Sequence, residues 1–181
     1  MADIVRIGIL GAGTMGTAHA AAWAGIANAK VVGVFSRDAA RARSAAHLCG
    51  ARAFTDADAL IGNATIDAID VCLPSNTHSA IVIPALELGK HVFCESPLAL
   101  RLDEARRMRD AARRAGRLLQ VGLLMRSVAA YAHVRATVAS GAHGRLLSLA
   151  TWRLGSYLRR DGPDRKAHYG DPSTELMTFD F

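Results

Sequence analysis

Short apolar runs alternate with longer segments of helical spacing from the start of the chain. Val5–Leu10, Lys30–Phe35, Ala68–Leu73, His91–Cys94 and Leu118–Gly122 are rich in Val, Ile and Leu and read as strands, with a weaker one at Arg52–Phe54. Met15–Ile26, Ala39–Leu48, Asp56–Ile61, His78–Leu88 and Leu102–Ala115 lie between them and read as helices. In the first helix Met15, Ala18, Ala22 and Ile26 recur at three- and four-residue steps, which predicts one buried stripe. Gly50, Gly89 and Gly116 close three of the helices, at a position that needs positive φ. Strand–helix alternation of this kind requires right-handed crossovers and a parallel sheet covered on both faces. The expected fold class is therefore α/β, a doubly wound domain over residues 1–122.

The pattern then changes. Ala129–Ser140 reads as a helix stopped by Gly141, and Arg145–Leu154 as a longer strand. Residues 155–181 carry Gly, Pro and charge with little periodicity. Residues 123–181 thus read as an incomplete second domain.

Composition narrows the ligand class. With 181 residues, 51% of them hydrophobic, the chain can bury a substantial core. Net charge is +6, and because Lys occurs only at 30, 90 and 166, 19 of the 22 basic residues are arginine. That balance favours anionic ligands, phosphates included. Many of the arginines lie in Leu102–Ala115 and its flanks, at positions 101, 106, 107, 109, 113, 114 and 117. Opposite them Leu102, Ala105, Met108, Ala112 and Ala115 form an apolar stripe, so the run reads as a solvated helix face. No aromatic residues interleave with it, and no nucleic-acid partner is expected. Cys49, Cys72 and Cys94 lack metal-ligand spacing, the histidines show none either, and no metal is expected. The chain enters a strand near Ile4 without a charged-then-apolar leader, and no run of ~18 apolar residues appears. A soluble cytoplasmic protein without a membrane partner is the expectation.

The chemistry concentrates at strand ends. Gly11-Ala12-Gly13-Thr14-Met15-Gly16 fits G-x-G-x-x-G, follows the first strand and opens the first helix, the context that makes this motif informative. Gly11 permits a tight turn, Gly13 a close approach to a pyrophosphate, and Gly16 close packing of helix on strand. The helix N-terminus adds free N–H groups and partial positive charge. This is the signature of a Rossmann dinucleotide site. At the end of the second strand an NAD site places Asp or Glu, whereas this chain has Ser36-Arg37 followed by Asp38. Ser36 can donate to a 2′-phosphate and Arg37 can pair with it, so NADP is favoured with NAD as the alternative. The competing reading is that Ser36 or Asp38 only caps the next helix. The fourth strand ends in Leu73-Pro74-Ser75-Asn76-Thr77-His78 and the fifth in Glu95-Ser96-Pro97, both facing the nicotinamide half of the crevice. Leu73, Pro74, Asn76, His78, Glu95 and Ser96 join Gly11, Ala12, Gly13, Thr14, Met15, Ser36 and Arg37 as cofactor-binding candidates. For His78 a neutral hydrogen-bonding role fits better than a charge, the alternative being a helix-packing histidine.

The succession GAGTMG, "LPSNTHSAIVIPALELGKHVFCESPLAL", "LLQVGLLMRS" ending at Arg126, and "YAHVRATVASGAHGRLLSLATWR" resembles the amino-terminal half of the glucose–fructose oxidoreductase/inositol dehydrogenase (Gfo/Idh/MocA) family over residues 4–154. The resemblance implies NAD(P)-dependent oxidation or reduction of a sugar, polyol or related carbonyl. It also implies a carboxy-terminal α+β domain on an open antiparallel sheet, often used for homo-oligomer formation. Arg126 and Asp180 are then the candidates for a small-molecule substrate's oxygens. Two departures bear on chemistry. The family's usual Glu-Lys-Pro is Glu95-Ser96-Pro97 here, so a hydroxyl replaces a cation. In the local match to the second family motif Glu175 keeps a carboxylate, but Phe179 stands where the family has a proton-transferring histidine. No catalytic residue can be assigned; His168 and Tyr169 are near in sequence only. Family members run to about twice this length, so either the remainder of the second sheet lies outside this chain or a partner covers it. Besides an oxidoreductase, the residues therefore leave open a non-catalytic NAD(P)- or sugar-phosphate-binding sensor or regulatory subunit, and an inactive truncated product.

Overall fold

The computed structural model describes residues 3–150. Six strands, β1 (Val5–Leu10), β2 (Ala29–Phe35), β3 (Arg52–Phe54), β4 (Ala68–Val71), β5 (His91–Glu95) and β6 (Leu119–Gly122), alternate with α1 (Thr14–Ala24), α2 (Ala39–Leu48), α3 (Ala57–Ile61), α4 (His78–Glu87) and α5 (Leu102–Ala115). A sixth helix, α6 (Ala129–Ser140), follows. The strands form one sheet in the order β3-β2-β1-β4-β5-β6, and every neighbouring pair is parallel. This is the doubly wound α/β sheet that the alternation predicts. Strand order reverses between β1 and β4, so a crevice opens at their carboxyl ends.

The pleat divides the core. Ile7, Ile9, Val31 and Val34 pack with Ala20, Ala45 and Ala46 of α1 and α2. Leu10, Ile69, Val71 and Val92 pack on the other face with Leu60, Val82, Leu86 and Met108 of α3, α4 and α5. Helix ends follow their residues. Asp38 and Asp56 accept hydrogen bonds from the first N–H groups of α2 and α3, while Gly50, Gly89 and Gly116 take φ of +64°, +78° and +61° after α2, α4 and α5. Helix α5 places Asp103 and Glu104 in its first turn and Arg113 and Arg114 in its last, matching the helix dipole. Its arginines are exposed, as expected of a solvated face, and Met108 and Ala112 are buried opposite them; Leu102, assigned to that stripe, is 66% exposed. Between α4 and β5 the buried Lys90 Nζ donates to the carbonyls of Asn63 at 2.9 Å and Ile66 at 2.7 Å, tying two loops together.

Three expectations need correction. The stripe Met15, Ala18, Ala22 and Ile26 faces outward, with Met15 40% and Ile26 42% exposed. Helix α1 buries Gly16 and Ala20 instead, because only small residues let it lie this close to the strands. The fourth strand ends at Val71, so Cys72 and Leu73 belong to the following loop. Residues 145–150 form no strand; residues 151–154 of that expected element lie outside the described residues.

Candidate functional site

The turn from β1 into α1 is built by its glycines. Gly11 adopts φ +113°, and a Cβ there would come within 2.5 Å of the Cys72 carbonyl oxygen. Its N–H donates to the Phe35 carbonyl at 3.0 Å, joining the ends of β1 and β2. A Cβ at Gly16 would overlap the Gly11 carbonyl oxygen, which fixes how closely helix and turn approach. Gly13 is different: exposed, with nothing within 4 Å of its Cβ direction. It is the N-cap of α1, where no side chain caps the helix and no acidic residue stands in the first turn. The N–H groups of Thr14 and Met15 are thus left without helical partners beside open space. This cradle fits a phosphate-bearing ligand.

At the end of β2, Asp38 spends its carboxylate on the N–H groups of Ala40 (2.8 Å) and Arg41 (3.2 Å). Those bonds, Arg41's first, lower its pKa. Capping therefore falls to Asp38. Ser36 Oγ accepts from the Asp38 N–H at 3.2 Å, which leaves its own proton available, and Arg37 is exposed.

The loop after β4 carries the half-buried Leu73 and Pro74, the buried Ser75 and the exposed Asn76. His78, expected among the cofactor contacts, is completely buried. Its Nε2 lies 2.8 Å from the Leu73 carbonyl, and its Nδ1 lies 3.1 Å from that of Pro97 and 3.3 Å from Cys94 Sγ. The ring therefore clips the loop after β4 to the loop after β5 and is closed off from direct contact with a bound molecule. It is the helix-packing histidine of the alternative reading.

At the end of β5, Ser96 N–H donates to Glu95 Oε2 at 3.2 Å. Ser96 Oγ is buried, with no hydrogen-bond partner among the described residues. A Cβ on Gly122 of β6 would meet Glu95 Oε1 at 3.2 Å, so that glycine leaves room for the carboxylate. Arg126 is exposed in the turn Leu124–Ser127 just beyond β6. Asp180, Glu175, Phe179, His168 and Tyr169 lie outside the described residues.

A cluster that the sequence reading missed sits beneath these loops. His19 Nδ1 lies 3.0 Å from Asp70 Oδ2, and its Nε2 lies 3.1 Å from Glu95 Oε1. Trp23 Nε1 donates to Asp70 Oδ2 at 2.7 Å, and Phe93 meets the His19 ring edge-on at 5.8 Å. Asp70 is 1% exposed. Hydrogen bonding to Asp70, then to Cys72 and Glu95, raises the His19 pKa to about 12. Burial pushes the Cys72 thiol up to about 12. The ligand atoms of His19, Asp70 and Cys72 lie within 4.8 Å of one another. Asp70 and His19 Nδ1 are already committed to each other, and Asp70 to Trp23 as well. One signal for the cluster was available: an aspartate inside the apolar strand Ala68–Val71 needs a buried partner, and His19 is three residues beyond Gly16, on the packed face of α1.

Residues 5–123 match the family model described as an oxidoreductase family with an NAD-binding Rossmann fold. The chain belongs to the Gfo/Idh/MocA family. An inositol 2-dehydrogenase of Saccharopolyspora erythraea is 37% identical over 142 residues, covering 77% of this chain and 42% of that relative. An apo scyllo-inositol dehydrogenase from Lactobacillus casei superposes with a TM-score of 0.74 at 30% identity, covering 80% of this chain and 44% of that one. A 3-ketoreductase from Actinomadura kijaniata in complex with NADP gives a TM-score of 0.72 at 26% identity, over 78% of this chain and 46% of that structure. The chain thus spans less than half the length of these Gfo/Idh/MocA relatives. No helix among the described residues is long and apolar enough to cross a membrane.

Proposed function

We propose that this chain carries the NAD(P)-binding part of an oxidoreductase that transfers hydride to or from a sugar, polyol or related carbonyl compound. The observation behind this reading is the uncapped N-terminus of α1 beside the open Gly13, at the reversal of strand order in a Gfo/Idh/MocA chain. In this reading Ala12, Gly13, Thr14 and Met15 hold the pyrophosphate through backbone N–H groups and the helix end, on the tight turn that Gly11 allows. Leu73, Pro74 and Asn76 flank the nicotinamide half, Glu95 and Ser96 line its far side, and Arg126 is available to substrate oxygens, a role that the family resemblance also gives to Asp180. The bound dinucleotide supplies the hydride chemistry; these residues bind and orient it.

NADP is the preferred cofactor in this proposal, because Ser36 and Arg37 occupy the strand end while Asp38 is committed to its cap. Losing a hydrogen bond to a charged group costs about 1.5–3 kcal/mol, or roughly 10- to 150-fold. Arg37→Ala should weaken NADPH by that factor and leave NADH nearly unchanged in a fluorescence titration. Equal weakening of both cofactors would contradict the assignment.

Ser96 favours a second reading, a sensor that binds the cofactor without turnover. A serine offers a donor but no cation, and removing one positioned electrostatic donor typically slows chemistry by about 10²–10³. Steady-state oxidation of NADPH with polyol-derived ketones separates the two. Slow, substrate-dependent consumption supports the oxidoreductase, whereas binding with no consumption across such substrates supports the sensor.

A further inference from the structure

We propose that His19 is a positioning residue for Glu95: its ring, braced from below by Asp70 and Trp23, fixes the Glu95 carboxylate at the carboxyl end of β5 and offsets its negative charge on the side of the crevice where the chain has Ser96. The proposal rests on the cofactor site described above, of which it adds a working part.

The geometry sets the charge. Nδ1 faces Asp70 at 3.0 Å and Nε2 faces Glu95 at 3.1 Å. Nδ1 is hydrogen-bonded to Asp70, and Nε2 stands in ion-pair contact with Glu95; a bare lone pair on either nitrogen would be repelled by a carboxylate oxygen at that distance, so both nitrogens carry protons and the ring is an imidazolium. Asp70 is held in turn: Oδ2 also takes the Trp23 N–H at 2.7 Å, and Oδ1 lies 3.5 Å from Cys72 Sγ. Cys72 Sγ also lies 3.2 Å from Nδ1. The groups facing the ring are thus two carboxylates, a thiol and the edge of Phe93. On its upper side Glu95 is fixed by the Ser96 N–H to Oε2, and the missing Cβ of Gly122 leaves the carboxylate its place. Side-chain exposures of 17% at His19 and 14% at Glu95 put the pair at the crevice wall, where solvent screens it weakly.

Without the imidazolium, Glu95 would present an unpaired negative charge to a dinucleotide that is itself an anion. His19 therefore acts on the ligand through Glu95, and its effect should vanish when Glu95 loses its charge. That dependence separates positioning from a purely structural contribution.

The test is a double-mutant cycle on the 181-residue chain, read by NADPH titration and by ¹⁵N spectra of the histidine rings. His19→Gln should lower NADPH affinity about tenfold or more, and His19→Gln with Glu95→Gln should recover most of that loss. In the wild type the His19 ring should keep both nitrogens protonated at about pH 8, where an ordinary histidine is neutral. Additive losses in the cycle, or a neutral His19 ring at that pH, overturn the proposal. Should His19→Gln fail to fold, the wild-type spectra decide alone. A wild type that binds no NADPH overturns the functional reading instead, and the spectra still decide whether His19 holds Glu95 as an ion pair.

Discussion

A valine at Gly16 is expected to stop the domain from folding. Its Cβ would overlap the Gly11 carbonyl oxygen and lie 2.7 Å from the Gly11 carbonyl carbon. Both atoms belong to the backbone of the turn that carries β1 into α1, so no side-chain rotation relieves the clash. Moving the helix outward would strip Ala20 from Ile7, Ile9 and Val34. The cost should exceed about 4 kcal/mol, a range in which overpacking is one of the few known causes. Thermal unfolding followed by circular dichroism should show no cooperative transition. A Gly16→Val chain that melts near the wild-type temperature would contradict the close packing described.

The second large effect is expected at Asp70. Asp70→Ala removes the carboxylate shared by His19 and Trp23 and leaves a largely buried imidazolium short of a partner. Breaking a buried pair from one side costs about 3–5 kcal/mol. The pair also gives stability a pH dependence of known sign. Because the folded-state pKa of His19 is raised from 6.5 to about 12, its contribution is complete below 6.5 and is lost as pH rises toward 12. Within that window the folded state binds the extra proton, so stability falls with pH by at most about 1.4 kcal/mol per unit. Urea unfolding at several pH values should show this decline in the wild type and a flatter line in Asp70→Ala, since hydrogen bonding to Asp70 is the leading cause of the shift. A wild type equally stable at neutral and alkaline pH would refute the ion pair.

Much of the sheet was readable from the sequence because its punctuation is local. Gly50, Gly89 and Gly116 terminate helices by backbone geometry, and Asp38 and Asp56 begin them by side-chain capping. The buried side of α1 was not readable. Met15, Ala18, Ala22 and Ile26 pointed to one face, but alanines occur all around that helix, so the larger side chains misled and fit against the strands decided for Gly16 and Ala20. The strand expected at Arg145–Leu154 shows the opposite failure. Its composition suits a strand, but a strand also needs a neighbour to pair with, and residues 145–150 pair with none among the described residues. At the site, the glycine turn was legible from its spacing. The His19–Asp70–Glu95 cluster joins three elements, and only the fold brings it together. His78 was rightly noticed and wrongly aimed, because its place early in α4 does not reveal the carbonyls of Leu73 and Pro97 on either side of its ring.

The most direct measurement is a titration of the wild-type chain and of Gly13→Val with NADPH, paired with thermal unfolding of both. Gly13 has nothing within 4 Å of its Cβ direction, so valine there should leave the melting temperature within a few degrees while filling the space beside the free N–H groups of α1. Saturable binding by the wild type, and its loss in Gly13→Val without loss of fold, is the expected result. Equal affinity in the two chains, or no binding by a folded wild type, would contradict it.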